Sequence, residues 1–87
     1  MKKLTAIVEF ADNNLCAYLK DIDGIIGVGD SMEDVKNSLQ EGIELHKELC
    51  EEDGVDIEPE LEGEYELVYK YDMASFLNAF GRVLSKS

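Results

Sequence analysis

Apolar residues alternate with their neighbours over residues 4 to 10, where Leu4, Ala6, Val8 and Phe10 interleave with Thr5, Ile7 and Glu9. The same period recurs over 15 to 19, with Leu15, Ala17 and Leu19 against Cys16 and Tyr18. A period of two predicts two half-buried strands. Asp12-Asn13-Asn14 lies between them, and because Asn tolerates positive φ, Asn13-Asn14 is the expected two-residue type I′ hairpin loop. That loop sets a register in which Phe10 faces Ala17 and Val8 faces Leu19, with the apolar residues of both strands on one side. Ile25 to Val28, bounded by Gly24 and Gly29, predicts a short third strand whose glycines suit a tight turn or a bulge.

The period then changes. Ser31 precedes Asp34 by three residues, the spacing of a capping box with Asp in place of Glu. Val35, Leu39, Ile43, His46 and Cys50 follow at three- and four-residue steps, with Leu45 and Leu49 widening the stripe, so a helix is expected over 31–53, stopping at Gly54. Tyr65, Leu67, Tyr69 and Tyr71 with Val68 predict a fourth strand. Asp72 is placed to cap a second helix containing Phe76, Leu77, Phe80, Val83 and Leu84. These elements predict an α+β fold in the order β-β-β-α-β-α, a mostly antiparallel sheet with the long helix on one face. Residues 1–71 are expected to form the domain and 72–87 its C-terminal helix. The expected core is Leu4, Val8, Phe10, Leu19, Val35, Leu39 and Ile43.

At 87 residues the chain holds one domain with a modest core. Its formal charge of −12 changes the functional picture: such a field repels phosphate backbones and anionic membranes and favours a basic partner. The Lys and Arg residues are scattered and absent from 48 to 69, so there is no basic stripe for direct nucleic-acid binding. Over 51 to 66 the acids Glu51, Glu52, Asp53, Asp56, Glu58, Glu60, Glu62, Glu64 and Glu66 accumulate around the single proline, Pro59. Val55, Ile57 and Leu61 within this acidic connection predict that it crosses the domain edge in extended form. Met1-Lys2-Lys3 opens no secretory signal, since Glu9 and Asp12 interrupt the apolar stretch, and no segment has the length of a membrane span. Cys16 and Cys50 lack CxxC spacing, which points to reduced thiols and a cytoplasmic location.

Candidate chemistry is sparse. His46, the only histidine, falls on the helix's apolar face, with no nucleophile at a spacing that singles it out, and is read as structural. His46 and Cys50 at i, i+4 supply two of the four ligands a structural zinc requires. Asp53-Gly54-Val55-Asp56 lacks the alternating ligands and mid-loop glycine of a calcium-binding loop, and the acidic run is read as a solvated edge. Gly24, Gly27 and Gly29 match no phosphate-binding spacing. The tyrosine stripe is read as core or interface packing. No catalytic residue, metal ligand set or cofactor is expected.

Asp21-Ile22-Asp23-Gly24-Ile25-Ile26-Gly27-Val28-Gly29-Asp30-Ser31-Met32-Glu33-Asp34-Val35, behind a hairpin and ahead of one long helix, resembles the HicB-like antitoxin domain. That family has a hairpin, an Asp-apolar-Pro/Asp-Gly turn, a short strand with small residues, then Ser/Thr-x-x-Glu/Asp opening the helix. Here Asp23 stands where Pro is commoner. The resemblance covers roughly residues 3 to 80 and implies a partial ribonuclease H-like fold, so Glu9 on the first strand is weighed as a metal ligand; a lone strand carboxylate makes no nuclease. It further implies a non-enzymatic protein that neutralises a small basic HicA-like ribonuclease toxin by binding it, and a homo-oligomer is expected. In many such proteins a helix like that after Asp72 leads into an operator-binding module, which would lie beyond residue 87; otherwise the chain is a solo domain. The resemblance fixes no contact residues. Glu51, Glu52, Asp53, Asp56 and Glu58 are candidates for toxin binding on charge alone. The rival expectations are a stand-alone interaction domain without a toxin and a metal-dependent hydrolase.

Overall fold

The computed structural model describes residues 1–11 and 13–78. Its elements are β1 (Lys2–Ala11), β2 (Asn14–Leu19), β3 (Ile26–Gly29), α1 (Met32–Asp53), a 3-10 turn (Pro59–Leu61) and β4 (Tyr65–Tyr71), followed by helical residues 73–78. Phe80, Val83 and Leu84 of the expected second helix lie outside the described residues. The sheet order is β3-β2-β1-β4. β1–β2 and β2–β3 pair antiparallel, while β1 and β4 run parallel. The sheet is therefore mixed, because α1 and the acidic connection carry the chain from the β3 edge to the opposite edge.

The hairpin corrects the expected register. Ala11 pairs with Asn14, Phe10 with Leu15 and Val8 with Ala17, so Asn14 belongs to β2 and the reversal falls one position earlier than Asn13-Asn14. Moving the loop by one position slides the pairing by two, and a slip of two leaves each side chain on its expected face. Ala6, Val8, Ala17 and Leu19 are all buried on the helix side. Burial also encloses Leu4, Val35, Leu39 and Ile43, together with Ile22, Ile25 and Leu61. Phe10 is only half-buried: it sits beyond the β1–β4 ladder and packs against Phe76, with ring centroids 5.8 Å apart.

Ser31 caps α1 as expected, its hydroxyl accepting the Asp34 N–H at 3.2 Å. The apolar stripe is narrower than the spacing implied. Leu45 and Leu49 are 54% and 49% exposed, because among the described residues α1 packs chiefly over β3 and, less extensively, β2, which leaves this flank toward solvent. Gly27 and Gly29 are not turn residues either; they pair with Ala17 and Leu15 inside the β3 ladder. They let the helix approach the strand. A Cβ on Gly29 would lie 2.5 Å from Asp34 Cβ. Gly24 alone of the three takes positive φ, +90°. The β3 edge is closed by α1, whose Ser38 hydroxyl accepts the Val28 N–H at 3.0 Å.

The acidic connection is less extended than expected. It bends through Pro59–Leu61 and buries Leu61, while Val55 stays exposed. The Lys2 ammonium donates to the Pro59 and Glu62 carbonyls and ties this bend to the start of β1. After β4, the Asp72 N–H donates to the Val8 carbonyl at 2.8 Å and the Phe10 N–H to Ser75 Oγ at 3.0 Å, fastening residues 72–75 to the end of β1. Asp72 Oδ1 accepts the Ala74 N–H at 3.1 Å, the expected cap.

Candidate functional site

The acidic candidates gather where α1 ends. Gly54 adopts φ +67°, and the N–H groups of Gly54 and Val55 donate to the carbonyls of Glu51 and Cys50 at 3.2 and 2.9 Å, a Schellman closure that satisfies the last-turn carbonyls. Glu51, Glu52 and Asp53 project from this turn, all exposed, with Asp56 exposed just beyond it. The turn contains no base. Carboxylates at the negative end of a helix dipole are locally unfavourable, by about 0.3–1 kcal/mol each when exposed. The ion pairs among the described residues are His46–Glu58 and Lys47–Glu44, so neither neutralises this end.

Glu58, the fifth candidate, is placed differently. It folds back onto α1 and meets His46 Nε2 at 2.6 Å, both side chains half-exposed. The hydrogen bond from His46 is the main cause that holds the Glu58 carboxyl below its ordinary value, helped by its own backbone N–H. Cys50 Sγ lies 3.7 Å from the same Nε2. One ring nitrogen thus faces both acid and thiol. While it donates to Glu58 it has no lone pair to take the Cys50 proton, so the trio lacks the two-sided relay in which a base sits between nucleophile and acid. Sequence spacing pairs His46 with Cys50, but the return of Glu58 depends on the Pro59 bend and carries no local signal.

The remaining features are dispersed. Glu9, Cys16, Tyr18, Ile26 and Val28 share the sheet face away from α1 through the pairs Glu9–Cys16, Cys16–Val28 and Tyr18–Ile26. Tyr18 donates to Glu9 at 3.4 Å. Burial, and then the Glu9 carboxylate, push the Cys16 thiol upward. Among the described residues no group of three or more His, Cys, Asp or Glu is assembled to hold a metal, and Glu9 has a tyrosine for its neighbour instead of further carboxylates.

On the other face, Lys36, Gln40 and Glu44 of α1 and Tyr65, Leu67 and Tyr69 of β4 line an open groove of about 470 Å³. The Lys36 ammonium stands 5.1 Å from the Tyr69 ring centre, and Lys47 stands 5.0 Å from that of Tyr65. Desolvation raises the Tyr69 phenol, whose buried hydroxyl has no hydrogen-bond partner among the described residues. The i, i+4, i+8 spacing of the three helix residues and the alternation of the three strand residues are visible in the sequence; that the two rows face each other is not.

Comparison with protein-family models, curated proteins and solved structures found no match. No described helix is long and apolar enough to cross a membrane.

Proposed function

We propose that this chain is an antitoxin-type binding protein that engages a small basic HicA-like ribonuclease in the cytoplasm and blocks its RNA-facing surface. The observation that carries the reading is the end of α1, where Glu51, Glu52 and Asp53 stand exposed at the negative pole of the helix with no base in the turn, and Asp56 extends the patch. Local physics opposes that arrangement, and an arrangement that conflicts with local preference is expected where function requires it. A basic surface placed there meets both the carboxylates and the helix dipole, in the position that RNA phosphates would otherwise occupy. The formal charge of −12 adds long-range attraction of the same sign. The HicB-like order of hairpin, Gly24 turn, short strand and Ser31-capped helix supplies the toxin class.

Glu58 enters this reading as a support. Its bond to His46 orients the loop that carries Asp56, whereas the four exposed acids supply the contact. Operator binding, and with it transcriptional autoregulation, would belong to a C-terminal module following the helix that Asp72 caps. The test is binding kinetics between this chain and a small basic HicA-like ribonuclease. A saturable complex that suppresses RNA cleavage supports the reading, and failure to form one removes it.

A further inference from the structure

The two edges of the sheet are treated differently. β3 is four residues long, and α1 satisfies its outward Val28 N–H through Ser38. β4 is seven residues long, and among the described residues its only strand neighbour is β1. Asp72 N–H points to β1, donating to the Val8 carbonyl at 2.8 Å. Strand backbone groups alternate in direction, so the N–H and C=O groups of Glu66, Val68 and Lys70 also face β1, and those of Tyr65, Leu67, Tyr69 and Tyr71 face outward. An edge of this length carries no proline and only one lysine, so the usual devices that blunt an edge are few.

We propose that β4 pairs antiparallel with β4 of a second copy, about a two-fold axis through Val68. The outward groups of Leu67 then bond those of Tyr69 in the other copy, and Tyr65 bonds Tyr71. Glu66 falls opposite Lys70 of the other copy, and Lys70 opposite Glu66, so two cross-strand ion pairs flank the axis. These are the closer, non-hydrogen-bonded sites of the ladder, with Cα atoms about 4.5 Å apart, where side chains interact most strongly. A slip of two residues' sum either way sets Glu66 or Lys70 against Val68, so charge selects this one register. On the helix side, the pairing sets Leu67 and Tyr69 of each copy against one another at the mouth of the open α1–β4 groove, where the Tyr69 hydroxyl is buried without a partner among the described residues. The symmetry is isologous, as closed dimers require. The interface is independent of toxin binding: the acids of the α1 terminus do not enter it.

The test is sedimentation equilibrium of the full chain and its variants at physiological salt, where the Debye length of about 8 Å screens the net charge of each copy beyond the strand contact. The parent chain should be a dimer. Glu66→Lys and Lys70→Glu each create two like-charge pairs and should weaken dimerisation about tenfold or more, whereas the double exchange restores both ion pairs and should return it toward the parent value. Oxidation of Val68→Cys should yield a covalent dimer that neither the parent nor Glu66→Cys forms, because position 68 alone meets its own copy. A parent chain that stays monomeric overturns the proposal. So does a dimer indifferent to the single reversals, or one that the double exchange fails to rescue; a dimer of that kind would be held through another surface, such as the sheet face bearing Ile26 and Val28.

Discussion

Gly27 lies against the backbone of Leu39 so closely that a Cβ added to it would stand 2.5 Å from the Leu39 nitrogen and 2.8 Å from its Cα. The obstacle is helix backbone, which cannot rotate away as a side chain can. Gly27→Ala should therefore destabilise the fold by about 1–3 kcal/mol through overpacking. Gly42, in the middle of α1, offers the opposite case. Its added Cβ would make ordinary contact, 3.4 Å from Ile25 Cγ2, and Gly42→Ala should stabilise by about 0.5–1 kcal/mol through helix propensity. Urea denaturation of the two variants should move the midpoint in opposite directions. Equal effects would mean that α1 does not sit on β3 at this separation.

Leu39 is fully buried where α1 meets β2 and β3. Leu39→Ala should cost about 2–5 kcal/mol, the range for truncating a large core side chain. Leu45→Ala and Leu49→Ala, on the exposed flank, should stay within about 0.5 kcal/mol of the parent. Ser31→Ala should remove the cap and cost roughly 1 kcal/mol. Thermal melts of the four variants separate the buried stripe from the solvent flank.

Glu58 links stability to pH. Its carboxyl is held below the ordinary glutamate value in the folded chain, chiefly by the hydrogen bond from His46, so the unfolded chain binds the proton more readily. The contribution is complete above the unfolded pKa, near 4.3, and is lost as pH falls below it through the lower folded value. Glu58→Gln should flatten the acid limb of the stability curve over that interval. At neutral pH the loss should be no more than about 1 kcal/mol, since both partners are partly exposed and screened. An acid limb unchanged by the substitution would show that the pair does not form in solution.

Cys16 should react slowly. Burial first, and the neighbouring Glu9 second, raise its thiol, and the thiolate is the reactive form. Alkylation at pH 8 should lag behind a free cysteine peptide, and Glu9→Gln should recover part of the rate. A rate equal to that of the peptide would contradict the placement of Cys16 beside Glu9.

Local pattern made the elements legible, since each rests on a signal within a few residues: alternation for β1, β2 and β4, the Ser31–Asp34 spacing and Gly54 for the limits of α1. Side-chain face is the same in the expected and the observed hairpin register, because a displacement of two residues preserves the pleat. Relations between distant segments were not legible. The parallel pairing of β4 with β1, the offset of α1 toward β3 that exposes Leu45 and Leu49, and the return of Glu58 to His46 all depend on where elements come to rest. Gly27 and Gly29 belong to the same class: a sequence shows that they are small, and only the packed helix shows what the smallness admits. Of the acidic candidates, charge identified Glu51, Glu52, Asp53 and Asp56 as an exposed group but could not tell that Glu58 has a partner inside the chain.

The toxin-neutralising reading makes a kinetic prediction. Four exposed carboxylates at the end of α1, on a chain of charge −12, should accelerate encounter with a basic partner, and the acceleration should fade with rising salt as the Debye length shortens from about 10 Å at 0.1 M toward 3 Å at 1 M. Peripheral charges act mainly on encounter, whereas packed apolar and hydrogen-bonded contacts determine how long a complex lasts. Reversing Glu51, Glu52 and Asp53 together to Lys should therefore lower the association rate more than it raises dissociation, and should flatten the salt dependence. The same reversal places bases at the negative pole of the helix, where they are favourable, so the variant should fold at least as stably as the parent; a melt of the variant separates lost binding from lost structure. Surface binding kinetics against a small basic HicA-like ribonuclease, at two salt concentrations, decides the matter. An association rate indifferent to both salt and reversal would remove the α1 terminus from the contact.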